Sequence, residues 1–174
     1  MDLLALTAAA LREPWRLWTG HLIHYGGAHA LANAVALAVP WTLVAPRDRS
    51  RLAWATLLLP PMLSLLLLPS LTGGEYRGAS GLACALWALV GLQLATRGES
   101  APVGLLMLGG LGLKLAAEAA LGTGVLLHPE GWSTLPAAHF WGALLGLAAA
   151  LPGLNQVRRY TRGSERPHVP RHRW

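Results

Sequence analysis

Residues 78–95 carry the sequence GASGLACALWALVGLQLA, and this stretch decides the fold of the chain. It has no charged residue, and it lacks the polar face that a helix on the surface of a soluble protein would show. Four further apolar runs accompany it, and each approaches the roughly 20 residues that a helix needs to cross a bilayer core. Together they predict five spanning helices, at about residues 27–45, 52–71, 79–95, 103–121 and 135–154.

The composition of the whole chain agrees with a membrane protein. Of its 174 residues, 53% are hydrophobic and only 13% are charged, which is about half the charged share of an ordinary soluble domain. We therefore predict an all-α integral membrane protein with one helical core at residues 12–157 and a basic, disordered tail at residues 158–174. A single cysteine, Cys84, excludes an intrachain disulfide and a metal site built from several cysteines.

The arginines are distributed unevenly between the two sides of the predicted bundle. Three lie in loops on one side and ten on the other, six of them in the tail. The net charge of +6 therefore indicates a juxtamembrane tail that contacts the lipid bilayer, and we expect no nucleic-acid partner. Because basic loops stay cytoplasmic, the C-terminus is predicted to lie inside and the loop before residue 78 outside.

Polar residues inside membrane spans are costly and are therefore candidates for function. Six stand out, namely His29, Asn33, Ser80, Lys114, Glu118 and His139. In the predicted topology the two histidines, Asn33 and Ser80 share one depth near the outer leaflet. Lys114 and Glu118 are spaced i,i+4 and are predicted to form an internal ion pair. Since no acid is assigned to the outer depth, the prediction is a Ser–His dyad without a third member.

Each of these groups has a chemical task in hydrolysis. A serine hydroxyl becomes a nucleophile beside a base, and neutral imidazole suits that role near neutral pH. His29 and Asn33 are also spaced i,i+4, so both can donate hydrogen bonds from one helix face to an oxyanion. The helices of Ser80 and His139 must then pack closely. Small residues at suitable spacing permit this, namely Gly81, Ala85, Ala138, Gly142 and Gly146.

The ordered motifs resemble those of rhomboid proteases over nearly the whole chain. They are Trp15-Arg16, then His24, then His29 with Asn33, then Gly78-Ala-Ser80-Gly81, and finally Ala138-His139 followed by Gly142 and Gly146. The resemblance implies a rhomboid-like helical bundle and an intramembrane serine protease that needs no cofactor. It implies Ser80 as nucleophile, His139 as base, and His29, Asn33 and the Gly78 region as the oxyanion hole. Trp15, Arg16, His24 and the three glycines after Ser80 would support that site.

Within this family the chain is similar to the rhombosortase branch, through Thr19-Gly20-His21-Leu22 and through Lys114 with Glu118. That similarity implies a bacterial inner membrane and a transmembrane protein substrate with a C-terminal Gly-Gly-type anchor. Two features depart from the family pattern. We expect the usual first span to be missing or truncated, because residues 1–11 are too short to form it. In addition, Cys84 replaces the tyrosine that usually follows the serine by one turn and packs under the histidine.

Two other functions compete with proteolysis. A rhomboid-like protein that binds membrane clients without cleaving them is compatible with the loss of that tyrosine. A metal transporter is the second alternative, because His21, His24 and His29 are imidazoles of the kind that bind zinc. Transport would favour carboxylates along the path, and none is predicted in the outer half of the bundle.

Overall fold

The computed structural model is all-α and describes residues 2–125 and 135–164, with side chains described as far as Pro152. Within these residues six α-helices follow one another, namely α1 (Arg16–Thr19), α2 (Gly27–Leu43), α3 (Arg49–Leu67), α4 (Ser80–Ala95), α5 (Ala101–Leu121) and α6 (Pro136–Ser164). Short 3-10 turns lie at Ala8–Leu11, Pro46–Asp48, Leu68–Ser70 and Gly98–Ser100.

The five longer helices coincide approximately with the five predicted segments. They differ, however, in whether their length and composition suit a membrane crossing. Within the described residues, the helical segments Pro46–Ser70 and Gly98–Leu121 are long and apolar enough to span a bilayer. Ser80–Ala95 and Pro136–Pro152 are apolar but shorter. Helix α6 includes the first part of the predicted tail, whereas residues 165–174 of that tail lie outside the described residues. That all five helices cross a membrane remains a prediction.

Helix α4 is the centre of the bundle. Helices α2, α3, α5 and α6 all contact it, and most of its side chains are buried. A helix that is apolar on every face is stable only when it is surrounded, which explains this position. The outer helices instead expose large apolar side chains, such as Leu106 on α5 with 77% exposure. Such a surface suits lipid rather than water.

Helix α3 runs through two consecutive prolines, Pro60 and Pro61. A proline lacks the N–H that would bond the carbonyl four residues earlier, so Pro61 leaves the carbonyl of Leu57 without its helical donor. The indole Nε1–H of Trp18 donates to this carbonyl at 3.0 Å. Backbone groups in lipid must find a partner within the protein, and this bond fastens the segment before α2 to α3.

The segment before α2 is also held from within by Arg16. This side chain is buried, and its guanidinium donates to the backbone carbonyls of Asp2 and Ala5, both at 2.8 Å. Its Nε also pairs with the carboxylate of Glu13. In the same N-terminal segment, Leu6 exchanges two backbone hydrogen bonds with Tyr76. The buried guanidinium therefore organises a loop that packs on the bundle near the start of α4.

His21 connects this loop to α3 through one ring nitrogen. Its Nε2 lies 3.1 Å from the carbonyl oxygen of Pro60 and 3.0 Å from Ser64 Oγ. The Ser64 hydroxyl donates to the carbonyl of Leu17 at 2.8 Å, so its oxygen accepts from His21. Nε2 therefore carries the proton in the neutral ring. His21 therefore fixes the loop before α2 to α3 by hydrogen bonds.

We predict that His21 makes the stability of the protein depend on pH. Burial lowers the pKa of His21 from 6.5 to about 4, so between these values the unfolded chain binds a proton that the folded chain does not. Stability is therefore greatest above pH 6.5 and falls toward pH 4, by on the order of 3 kcal/mol. Thermal unfolding in detergent at a series of pH values measures this dependence.

The matched variant is His21→Gln, which keeps a donor near the position of Nε2 but cannot be protonated. Its melting temperature should be lower than that of the wild type at pH 8, and it should decline less between pH 6.5 and pH 4. A variant whose melting temperature follows the same pH slope as the wild type would contradict the assignment to His21.

Candidate active site

Ser80 is the first residue of α4 and follows a turn that only glycine adopts easily. Gly78 has a φ of +114°, in the region where a side chain would collide with the backbone. The turn directs the chain into α4 at Ser80. A helix N-terminus offers backbone N–H groups without intrahelical partners and the positive end of the helix dipole. The serine hydroxyl therefore lies where negative charge is favoured.

His139, in the first turn of α6, is brought against this serine. Its Nε2 lies 2.9 Å from Ser80 Oγ, which is hydrogen-bond distance for a nucleophile and a base. The two residues are far apart in sequence and belong to helices that approach closely. The ring itself is buried, so any water needed for hydrolysis would have to reach it through a cavity.

Glycines allow this approach of α4 and α6. A Cβ built on Gly142 would collide with the carbonyl of Gly81, and one on Gly146 would collide with the carbonyl of Ala85. A Cβ on Gly81 would in turn lie 2.8 Å from the carbonyl oxygen of Ala138. The small residues selected from the sequence thus lie in the contact itself, and backbone touches backbone along this interface.

An acidic side chain does lie beside the Ser80–His139 pair, and the expectation that none would is wrong. Glu118 on α5 places Oε2 2.7 Å from Nδ1 of His139, and its side chain is only 2% exposed. Lys114, one turn earlier, donates to Glu118 Oε1 at 2.5 Å, so the predicted ion pair is present. The Lys114 ammonium is also 2.9 Å from His139 Nδ1. A line of contacts therefore runs from Ser80 through His139 to the ion pair.

His29 and Asn33 lie side by side next to the Gly78 turn. A Cβ on Gly78 would be 2.7 Å from His29 Cε1 and 3.2 Å from Asn33 Nδ2, so the missing side chain makes room for both donors. Asn33 is buried, and its Nδ2 has no hydrogen-bond partner among the described residues. Such an unpartnered amide is costly unless a further acceptor binds there. The N–H of Gly78 itself donates to the Gly20 carbonyl at 2.9 Å and is not free for an oxyanion.

Four other residues named from the sequence lie outside the immediate site. His24 meets the ring of His29 edge-on, with centroids 5.0 Å apart, so it supports that ring. Arg16 is occupied by carbonyls of the N-terminal segment, and Trp15 is half exposed on the same segment. His21 bonds to α3 instead of joining His24 and His29. Among the described residues, no three His, Cys, Asp or Glu side chains form a group that could hold a metal ion.

Tyr76 is a buried neighbour of Ser80 that the sequence did not indicate. Burial raises the pKa of the Tyr76 phenol far above its usual value, against the smaller opposing effects of the Gly81 backbone and the Ser80 side chain. The phenol is therefore neutral in the folded protein. Its ring packs edge-on against His21, with centroids 5.4 Å apart. The sequence signal that could have indicated Tyr76 is an aromatic residue shortly before the glycine turn at Gly78.

A cavity of about 400 Å³ joins these groups. Its lining combines apolar side chains of α2, α4 and α5 with a small set of polar ones, namely Tyr25, His29, Asn33, Tyr76, Arg77, Ser80, Lys114, Glu118 and His139. Cys84 also lines it, buried and one turn after Ser80. A mostly apolar cavity with a few convergent polar groups is typical of a ligand or active site.

Comparison with known proteins gives one match. A family model described as the Rhomboid domain matches residues 11–156. No curated protein and no solved structure matches the chain. The match covers most of the chain and includes every residue of the cavity.

We predict that Gly142→Ala separates α4 from α6. The new methyl group would overlap the carbonyl of Gly81, and overpacking of this kind typically costs about 1–3 kcal/mol. The melting temperature in detergent should fall by several degrees. Gly109→Ala on α5 is the matched control, because the described structure places nothing within 4 Å of its Cβ.

Alanine favours a helix over glycine by roughly 1 kcal/mol, so the control should be as stable as the wild type or slightly more stable. If Gly142→Ala and Gly109→Ala melted at the same temperature, the close backbone contact between α4 and α6 would be refuted.

Proposed function

The chain belongs to the rhomboid family, integral membrane proteins that are in general intramembrane serine proteases, and from this we propose that it is an endopeptidase with Ser80 as nucleophile and His139 as general base. The observation that carries the proposal is the 2.9 Å contact between Ser80 Oγ and His139 Nε2 at the edge of a partly apolar cavity. The rival function, client binding without cleavage, offers no reason for a base directed at a serine.

In the proposed reaction, Ser80 Oγ bonds to the scissile carbonyl carbon while its proton passes to His139 Nε2. The C–N bond then breaks, and His139 returns this proton to the leaving amine. Water attacks the acyl-enzyme in the same manner, again with His139 as base, and releases the second product. Every proton transfer passes through His139 Nε2, which at the end returns the proton taken from water to Ser80 Oγ, and no cofactor is required.

The negative oxygen of the tetrahedral intermediate would be stabilised from two directions. Asn33 Nδ2 is an unpartnered donor beside the Gly78 turn, and His29 lies next to it. The N-terminus of α4 supplies positive potential from the other side. Donors that are already oriented toward the developing charge cost no reorganisation during the reaction. The role of Gly78 in this proposal is to leave space for the two side chains.

The proposed orientation places the site toward the outer leaflet, with the C-terminus in the cytoplasm. It is supported by the three-to-ten division of arginines between the two sides. An ion pair between Asp48 and Arg97 at 2.6 Å joins two of the loops counted on the arginine-rich side, which supports assigning both loops to the same side. We further propose that the membrane is a bacterial inner membrane.

The proposed substrate is an exported protein that ends in a Gly-rich segment, one transmembrane helix and a short basic tail. Similarity to the rhombosortase branch supports this choice. A helix hides its carbonyls in i→i−4 hydrogen bonds, so the nucleophile needs locally extended backbone. Glycine makes unwinding easier than alanine by roughly 1 kcal/mol per residue. Such a segment near the outer leaflet would lie at the depth proposed for Ser80.

We predict that a serine-directed fluorophosphonate labels the detergent-solubilised protein at Ser80. Ser80→Ala should abolish labelling, because the nucleophile is gone, and His139→Ala should remove most of the rate, because a serine without a base is a poor nucleophile. In-gel fluorescence after timed exposure measures this. Ser70→Ala, at an exposed serine after α3, is the matched control and should label at the wild-type rate.

Equal labelling of the Ser80→Ala protein would refute the nucleophile. Folded wild-type protein that is not labelled at all would favour the client-binding alternative.

We also predict that co-expression with the protein shortens a single-span reporter of the proposed kind. The reporter consists of an exported domain followed by the Gly-rich segment, apolar helix and basic tail. Its anchor should be lost with the wild type and kept with Ser80→Ala. Replacing the glycines by alanines should slow cleavage, because the helix then persists.

Mass spectrometry of the released domain identifies the new C-terminus. A cut deep in the apolar helix, or a rate that does not depend on the glycines, would refute this substrate class while leaving the nucleophile untouched.

A further inference from the structure

The ion pair on α5 meets the proposed base at the ring nitrogen that faces away from the serine. His139 Nδ1 lies 2.7 Å from Glu118 Oε2 and 2.9 Å from Lys114 Nζ. Both partners approach the same nitrogen, and they require opposite protonation states of it. A carboxylate only accepts a hydrogen bond, whereas an ammonium group only donates one. The proton on the imidazole therefore determines which of the two contacts is a hydrogen bond.

The two choices have opposite consequences for Ser80. If Nδ1–H donates to Glu118, Nε2 has a free lone pair and can accept the proton of Ser80 Oγ. If Lys114 donates to an unprotonated Nδ1, the proton is on Nε2 and the ring cannot act as a base. Glu118 thus favours the reactive tautomer, and Lys114 by itself would favour the unreactive one.

We propose that Glu118 is a positioning residue that holds His139 in the tautomer and orientation needed to accept the Ser80 proton, with Lys114 as its charge partner. This inference rests on the proposed function. During attack the Ser80 proton moves to Nε2, and Nδ1–H stays bonded to Glu118. The carboxylate stabilises the imidazolium without taking its proton, and the proton leaves from Nε2 to the amine.

The same contacts explain how His139 can be oriented although Cys84 stands where the family usually has a tyrosine. The sequence left the orientation of His139 open, because Cys84 provides no ring beneath it. In the structure the ring is held at both nitrogens, by Ser80 at Nε2 and by Glu118 at Nδ1. Glu118 is itself fixed, by Lys114 at Oε1 and by the backbone N–H of Val125 at 3.3 Å.

The test uses full-length protein in detergent and a fluorophosphonate probe, with the maximal labelling rate and the half-saturating probe concentration measured separately. Glu118→Gln should lower the maximal rate by about 10⁴-fold, as loss of a tautomer-selecting carboxylate does in serine proteases. The half-saturating concentration should not change, because Glu118 does not bind the probe. Glu118→Asp keeps a carboxylate and should label faster than Glu118→Gln.

The double variant Lys114→Met/Glu118→Gln separates positioning from packing. It removes the ammonium that would impose the unreactive tautomer, so it should label at least about tenfold faster than Glu118→Gln alone, though still more slowly than the wild type. If the ion pair only clamped α5 to α6, the labelling rate of each variant would follow its melting temperature, so a double variant that melts like the wild type would also label like the wild type. Asp48→Asn, at the Asp48–Arg97 pair, is the matched carboxylate-to-amide control and should label normally.

The outcomes are distinguishable from failure of the proposed function, which would leave the wild type unlabelled at Ser80. With the wild type labelled, a Glu118→Gln rate within about threefold of it would overturn the inference, as would a double variant no faster than the single one. Should Glu118→Gln not fold, the double variant leaves no uncompensated charge and carries the test. It should then melt like the wild type and label at least about tenfold more slowly, and an equal rate would overturn the inference.

Discussion

The contact between α4 and α6 is the constraint on which the rest of the structure depends. A hydrogen bond between side chains as short as those of serine and histidine requires their backbones to approach closely. Gly142 against Gly81 and Gly146 against Ala85 provide this approach, because no side chain lies between the two backbones. In a membrane, where helices gain little from burying apolar surface against one another, such close packing is a main source of association. The same contact thus stabilises the bundle and sets the Ser80–His139 distance.

The sequence predicted much of this arrangement because the signals involved depend only on the order and spacing of residues along the chain. Apolar runs with few charged residues locate α2 to α6 along the chain, and the glycine before Ser80 marks the start of α4. Residue spacing gives the face shared by His29 and Asn33. Relative depth follows from the direction in which each helix runs. None of these inferences requires knowing how a helix is rotated about its axis.

Glu118 was missed as a neighbour of His139 because its contact depends on that rotation. In the proposed orientation α5 runs toward the outer side, so its last turn, which contains Glu118, would lie at the depth of Ser80. The depth argument applied to the other helices would have included it. The i,i+4 pair with Lys114 suggested instead a pair satisfied within its own helix, and spacing cannot show which neighbour that pair faces. Tyr76 was missed for a similar reason, because its burial depends on a long-range pairing with Leu6.

The cost of burying charge bears on what the Lys114–Glu118 pair contributes. Removing two charges from water costs several kcal/mol, and the attraction between them often fails to repay it. A pair of apolar residues would pack α5 against α6 at no such cost, so packing alone is a weak reason for this pair. A carboxylate beside an imidazole acts differently, because its attraction increases when the ring becomes charged. That increase occurs during the proposed proton transfer from Ser80 and is absent in the resting protein. The ion pair is therefore better explained by a step in a reaction than by the stability of the fold.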